Sequence, residues 1–401
     1  MAAVFFTNGA LFANVVPRYP EIKAKLGMSN AAFGSALAAF PFGALLAGLF
    51  AATLIRRFRS ARVASFGTVV LAGAIALVGL AANWPMLAVV FFAAGASDAI
   101  LDVAQNAHGL RVQRLYRRSI VNSFHAVWSI GGVTGGLLGA AAAGSGIAVP
   151  VHLVGSSLLF SAVSVAAARF LLPGPDVAEE FLDAHDREGH DREGLAKKPV
   201  GSEGGRQSGL RSAIPILAAL GVLAVCGAVI EDAAYSWSSL YMRSLGAAAA
   251  TAGLAFVVFQ VAMTGGRLIG DRLIDRFGQA TVIRAGGALA AIGMGTGLTL
   301  ATTRSALVGY GLAGLGAAAV VPAVMHTANE LPGLAHGIGL TVVSWLLRVG
   351  FLVSSPIVGL VADAASLRLG LLSVVVAGTT CVILGRVLPK IRTDRTKVGS
   401  S

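Results

Sequence analysis

A chain of 401 residues that is 56% hydrophobic and only 12% charged, with 51 glycines and 13 prolines, falls far below the roughly one-quarter charged composition of soluble domains. This argues against a water-soluble enzyme and for a bilayer in place of the missing water-facing surface. The formal charge of +12, from 31 Lys and Arg against 19 Asp and Glu, reads as basic loops beside an anionic inner leaflet, not as a nucleic-acid surface; Cys226 and Cys381 lie inside apolar runs and indicate neither a disulfide framework nor a metal cage.

Crossing a hydrocarbon core about 30 Å thick takes about 20 apolar residues, and twelve candidate runs follow one another along the chain. The first, 1–16, carries Asn14 as its polar group and is short for a span. It requires either upstream residues or a helix continuing through Pro17; a cleaved signal peptide, the competing reading, lacks a basic n-region. Runs at 31–54 and 63–82 come next. The fourth, 85–107, holds Asp98, Asp102 and Asn106 four residues apart, hence on one helical face. A carboxylate at membrane depth costs about 3 kcal/mol on insertion scales, so each needs a partner, a wet cavity or a proton, and the pair is a candidate proton site. The fifth run, 120–143, contains His125, whose side chain is either a proton relay or simply bonded to a backbone carbonyl. It also contains the Gly131-Gly132-Val133-Thr134-Gly135-Gly136 run, suited to close helix crossings. The sixth covers 149–172.

Residues 173–212 are polar and include a tandem HDREG pentapeptide at 185–194, a composition that cannot bury a core. They read as a cytoplasmic linker between an N-terminal bundle (1–172) and a C-terminal bundle (213–388), with a cytoplasmic tail at 389–401. The seventh run, 213–235, ends near Glu231 and Asp232, which read as the outer mouth of a cavity, with Asp232 alternatively interfacial. The eighth, 249–271, aligns Gln260, Thr264, Arg267 and Asp271 on one stripe that should face protein or water. Arg267 then meets Asp271 one turn away, the interface, or a substrate. The ninth and tenth runs are 280–302 and 304–326. The latter contains Gly309–Gly314, a GxGxxG match with no strand before it and therefore no dinucleotide site. The eleventh, 337–361, carries Arg348 midway, where a guanidinium should meet Asp98, Asp102 or an anionic substrate. The twelfth is 367–388. Trp128, Trp237 and Trp345 either stack on a substrate or anchor at the interface.

Basic residues cluster in alternate connections: Arg56–Arg62, Arg111–Arg118, Arg187–Arg211, Arg272 with Arg276, and Lys390–Lys397. The other connections hold only Arg18, Lys23, Lys25, Arg243, Arg304 and Arg368. Lys and Arg are retained inside during insertion, so both termini are expected in the cytoplasm and the chain in the cell inner membrane.

Leu54-Ile55-Arg56-Arg57-Phe58 after the second run matches Leu273-Ile274-Asp275-Arg276-Phe277 after the eighth, an internal repeat of the kind found in carriers built from two related bundles. The second copy, from Gly270 and Asp271 through Asp275 and Arg276 to Gly278, resembles the GxLxDRxG loop motif of the major facilitator superfamily. The resemblance implies an all-α membrane protein of twelve transmembrane helices in two six-helix, pseudo-symmetric bundles. The first copy departs from the motif, with Arg56 at the acidic position, Arg57 after it and Arg59 at the glycine. In the family the motif Asp lies at the positive end of a helix in the opposite half, a place that favours Asp275 and disfavours Arg56.

Arg18-Tyr19-Pro20-Glu21-Ile22, Asp102-Val103-Ala104-Gln105-Asn106 and the Glu231/Trp237 pair further resemble a bacterial inner-membrane branch distantly similar to the fucose permeases. That likeness implies proton coupling at Asp102. The first run lacks the carboxylate those permeases carry.

The combined reading is a proton-coupled symporter acting by alternating access on a small polar organic solute. Asp102, Asp98 and His125 handle the proton, and Asn106, Glu231, Arg267, Arg348, Gln260 and Asn14 line the cavity. Efflux of amphipathic compounds and a non-transporting receptor on the same fold are the alternatives. No enzyme chemistry, cofactor, metal or nucleic acid is expected; the partners are substrate, protons and lipid, and the chain is expected to be a monomer.

Overall fold

The computed structural model describes residues 1–116, 118, 120–174, 203–331, 334 and 337–386, with 203–212 as backbone alone. Most of the expected linker, including the HDREG repeat, and the expected tail lie outside the described residues. Eleven described helices are long and apolar enough to span a membrane. These are the second to twelfth spans: Asn30–Gly48, Ser60–Leu80, Trp84–Tyr116, Val121–Gly144, Val149–Ala168, Ala213–Ser244, Ala249–Phe277, Gln279–Leu300, Thr303–Asn329, Ile338–Ala364 and Leu367–Leu384.

The first span is built differently. Ala2–Val15 is α-helical, Val16–Arg18 forms one 3₁₀ turn and Tyr19–Lys25 is α-helical again. Val15, Val16, Arg18 and Tyr19 all keep right-handed helical angles, so the helix continues through Pro17, as one of the two readings expected. The tighter turn absorbs the proline's missing N–H. At about 1.5 Å per residue the whole segment reaches about 36 Å, enough to cross.

Small residues set the packing. In the fifth span a Cβ on Gly131 or Gly135 would collide with the carbonyl of Phe6 or Ala10 of the first span, and one on Gly139 would crowd Asn14. The neighbouring glycines face the other way: Gly132 lies against Gln260 and Gly136 against Phe256, both on the eighth span. One glycine run thus serves two interfaces, one inside the first half and one between halves. Gly286 and Gly316 repeat the device between the ninth and tenth spans. Without a hydrophobic drive inside lipid, such backbone approach supplies the dispersion contacts that hold helices together.

The halves meet where the second span packs on the eleventh and the fifth on the eighth. At one end they are tied by hydrogen bonds. The backbone N–H groups of Asn30 and Ala31, at the start of the second span, donate to Asp363 at 2.8 and 2.7 Å, and the Asn30 side chain adds a third bond at 2.9 Å. Ser239 donates to the Val16 carbonyl at 3.0 Å. At the opposite end, beyond the cavity, Asp102 and His125 are exposed.

The repeat read from the sequence is also a structural repeat, with one correction. Its residues do not form loops but helical turns, Ala51–Phe58 in the first half and the last turns of Ala249–Phe277 in the second, because a helix satisfies its own backbone where loop groups would need water. The helices end alike, at Arg59 with φ 70° and ψ 145° and at Gly278 with φ 80° and ψ 153°. Just beyond, Ser60 is hydrogen-bonded to Nδ1 of His108 at 3.0 Å, and Gln279 to Nδ1 of His326 at 3.2 Å.

Candidate functional site

A cavity of about 300 Å³ lies between the halves. Its position follows from span order: the first, second, fourth and fifth spans of one half face the seventh, eighth and eleventh of the other. The first span contributes Asn8 and Phe12, the second Phe40 and Pro41, the fourth Phe91 and Asp98, and the fifth Trp128 and Gly132. From the second half come Asp232, Tyr235 and Ser236, then Phe256 and Gln260, then Arg348 and Phe351.

Three of the predicted residues therefore converge on one space: Asp98, Gln260 and Arg348. The expected ion pair between Arg348 and Asp98 or Asp102 is absent. Among the described residues neither Asp98 nor Arg348 has a hydrogen bond or ion pair, and the Arg348 side chain runs beside Gly48 of the second span. Arg348 is exposed, so its guanidinium does not require a buried carboxylate in place of water. Gln260 is 1% exposed; its Oε1 accepts from the Tyr235 hydroxyl at 3.1 Å and its Nε2 has no partner. Asp232 accepts from Ser236 at 2.8 Å and Ser355 at 2.7 Å.

Asp102, Asn106 and His125 form a separate chain on the fourth and fifth spans, one turn beyond Asp98. Asp102 Oδ1 accepts from Gln105 and Asn106, both at 3.1 Å, and Asn106 Oδ1 lies 3.1 Å from Nε2 of His125. Asn106 is thus a link in this chain and not a lining residue. Glu231 and Arg267 also stand behind the cavity wall, joined at 3.1 Å. The Arg267 partner is Glu231 on the seventh span, not Asp271 on its own helix. Because the seventh span runs on to Ser244, Glu231 lies near its middle and not at the outer mouth.

Asn14 is displaced from the role expected of it: it is fully buried and donates to Ser156 of the sixth span at 2.6 Å. Asn8, two turns earlier, faces the cavity instead. Asp232, read either as part of a cavity mouth or as interfacial, lines it too. Both were visible as polar residues in apolar runs, but the rotation of their helices was not. Trp128 lines the cavity, whereas Trp237 is buried edge-on against Phe33 and Trp345 is exposed. Asp271 and Asp275 are exposed, and Asp275 makes no bond to the opposite half among the described residues. Among the described residues Arg56 is bonded to Thr53 alone, at 3.2 Å.

A family model, the Major Facilitator Superfamily, matches residues 1–241 and 217–400. An uncharacterized transporter from Sinorhizobium fredii is 29% identical over 371 residues, spanning 92% of this chain and 92% of its own. An uncharacterized MFS-type transporter from Yersinia pestis is 25% identical over 364 residues, spanning 90% and 88%. Among solved structures, a D-xylose-proton symporter superposes with a TM-score of 0.73 at 15% identity over 97% of both chains. The nucleoside transporter NupG does so with 0.72 at 11% identity over 96% of both. At such identities these structures speak for the fold alone.

Proposed function

Because this chain belongs to the major facilitator superfamily and is a multi-pass membrane protein, we propose that it is a proton-coupled carrier for a small polar organic solute, a sugar or another metabolite, working by alternating access. Two six-helix units, 1–172 and 213–388, rock about the cavity, joined through 173–212. Both termini lie in the cytoplasm in this reading, so the Asn30–Asp363 tie closes the outer side and the cavity communicates with the inner one.

The observation that carries the proposal is a pair of ionisable side chains with no hydrogen bond or ion pair among the described residues, Asp98 from one half and Arg348 from the other, facing one cavity. Charges are retained at such depth where water, a proton or a substrate completes them. Asp98 exchanges the proton at the cavity wall. The Asp102–Asn106–His125 chain continues it toward the exposed end. Gln260 and Arg348 contact the solute, and Glu231 with Arg267 fixes the seventh span against the eighth.

Uptake into proteoliposomes under an imposed pH gradient tests this directly. Wild-type uptake should rise with the gradient, and Asp98→Asn or Asp102→Asn should lose that dependence while retaining exchange of solute down its own gradient. Gradient-independent uptake in the wild type refutes the coupling. The predominance of aromatic rings in the lining favours a second reading, efflux of amphipathic compounds; it predicts accumulation driven by a gradient of the opposite sign.

A further inference from the structure

We infer that the transported solute is a small monocarboxylate with an aromatic or similarly flat apolar body, an inference that rests on the carrier reading above and narrows it. At about 300 Å³ the cavity is at the small end of ligand sites, room for one ring with short substituents.

Its walls are not those of a site for a polyol. Phe12 and Phe40 of the first half lie 5.1 Å apart between ring centres, Phe12 and Tyr235 of the second half 6.0 Å, and Tyr235 and Phe256 5.5 Å. This is a continuous aromatic wall that crosses from one half to the other. It offers a ring offset and edge-to-face contacts, and sugar hydroxyls laid against these rings would be desolvated and unpaired, so the apolar body of the solute belongs here and its polar groups at Gln260 and Arg348.

The charge of the solute follows from which cavity group can be neutralised. Asp98 can take up a proton. Arg348 cannot lose one, so its guanidinium, without a protein carboxylate, must be matched by the ligand or by water. Its planar fork of donors fits a carboxylate through two parallel bonds. An anion meeting Arg348 while Asp98 carries a proton balances those two groups, with Asp232, the other carboxylate of the lining, held by the hydroxyls of Ser236 and Ser355. The unpaired Nε2 of Gln260 adds a donor for a second acceptor on the solute, such as a ring hydroxyl or carbonyl.

The test is thermal unfolding of the purified full-length chain with benzoate, 4-hydroxybenzoate and phenylacetate, against benzamide, benzyl alcohol, D-xylose and uridine. The acids should raise the Tm and bind about tenfold or more tightly than the matched amide, the worth of one charge-assisted bond. Arg348→Gln should abolish that preference while the variant still unfolds cooperatively on heating, and Arg348→Lys should restore part of it. Equal binding of acid and amide, no stabilisation by any acid, or an acid preference that survives Arg348→Gln overturns the inference. Uptake of radiolabelled benzoate separates the two claims: acids that bind but are not moved sink the carrier reading, whereas pH-driven uptake of xylose or uridine with no acid binding sinks this one.

Discussion

Arg59 holds φ 70° and ψ 145°, a region that side chains other than glycine enter at a cost of about 1–3 kcal/mol. Its repeat partner, Gly278, takes the same conformation with no Cβ to strain it. Replacing Arg59 with Gly should therefore raise the Tm, and replacing Gly278 with Ala should lower it; calorimetry of the two variants should give shifts of opposite sign. Glu231 and Arg267 allow a second comparison. Glu231→Ala leaves the Arg267 guanidinium without its carboxylate and should cost about 1 kcal/mol, less than a sealed pair would because the Arg267 side chain is 36% exposed. The double variant Glu231→Ala, Arg267→Met should recover most of that loss in a double-mutant cycle.

At the scale of elements, the glycines divide into those a methyl group would break and those it would not touch. A Cβ on Gly135 meets the Ala10 carbonyl of the neighbouring backbone, and neither helix can move without opening the interface between the first and fifth spans. Gly135→Ala should reduce the yield of folded protein and the Tm sharply. Gly73, in the third span, has nothing within 4 Å of its added Cβ. Gly73→Ala should be neutral or stabilising by up to about 1 kcal/mol from helix propensity. Denaturation of both variants in the same detergent checks the contrast. The 3₁₀ turn at Val16–Arg18 belongs to this scale too: it lets a proline sit inside a span and brings Arg18 inward, where it is fully buried and bonded to Glu21 at 2.7 Å. A residue that counts as a loop cation in the sequence is structural in the fold.

For the whole molecule, the tie at Asp363 joins the two halves at one end. Its carboxylate takes the first free N–H groups of the second span, the positive end of that helix. It is the geometry the superfamily resemblance assigns to Asp275, realised here at the other end by another carboxylate of the same half. Asp275 has no such contact among the described residues. Under the proposed alternating access, one state would spend the Asp363 contact and the other gain an Asp275 contact, and the balance between them would set the populations. Asp363→Ala should shift the ensemble toward closure at the Arg56/Arg276 end. Distances between spin labels on the two halves at that end should shorten, and labels that report no change would show that the tie does not bias the equilibrium.

The transmembrane character, the span order, the two-fold repeat and the identity of Asp98, Gln260 and Arg348 as costly residues were all legible in the amino-acid sequence, because the price of placing a residue in hydrocarbon depends on that residue and its near neighbours. Which polar groups meet was not. Asn8 faces the cavity while Asn14 turns to Ser156, and Arg267 finds Glu231 across two helices. Those choices depend on the rotation of each helix, set by glycine contacts with distant backbone. The freedom of Arg348 from Asp98 depends further on how far the halves are parted, a property of the assembled bundles that no single segment contains.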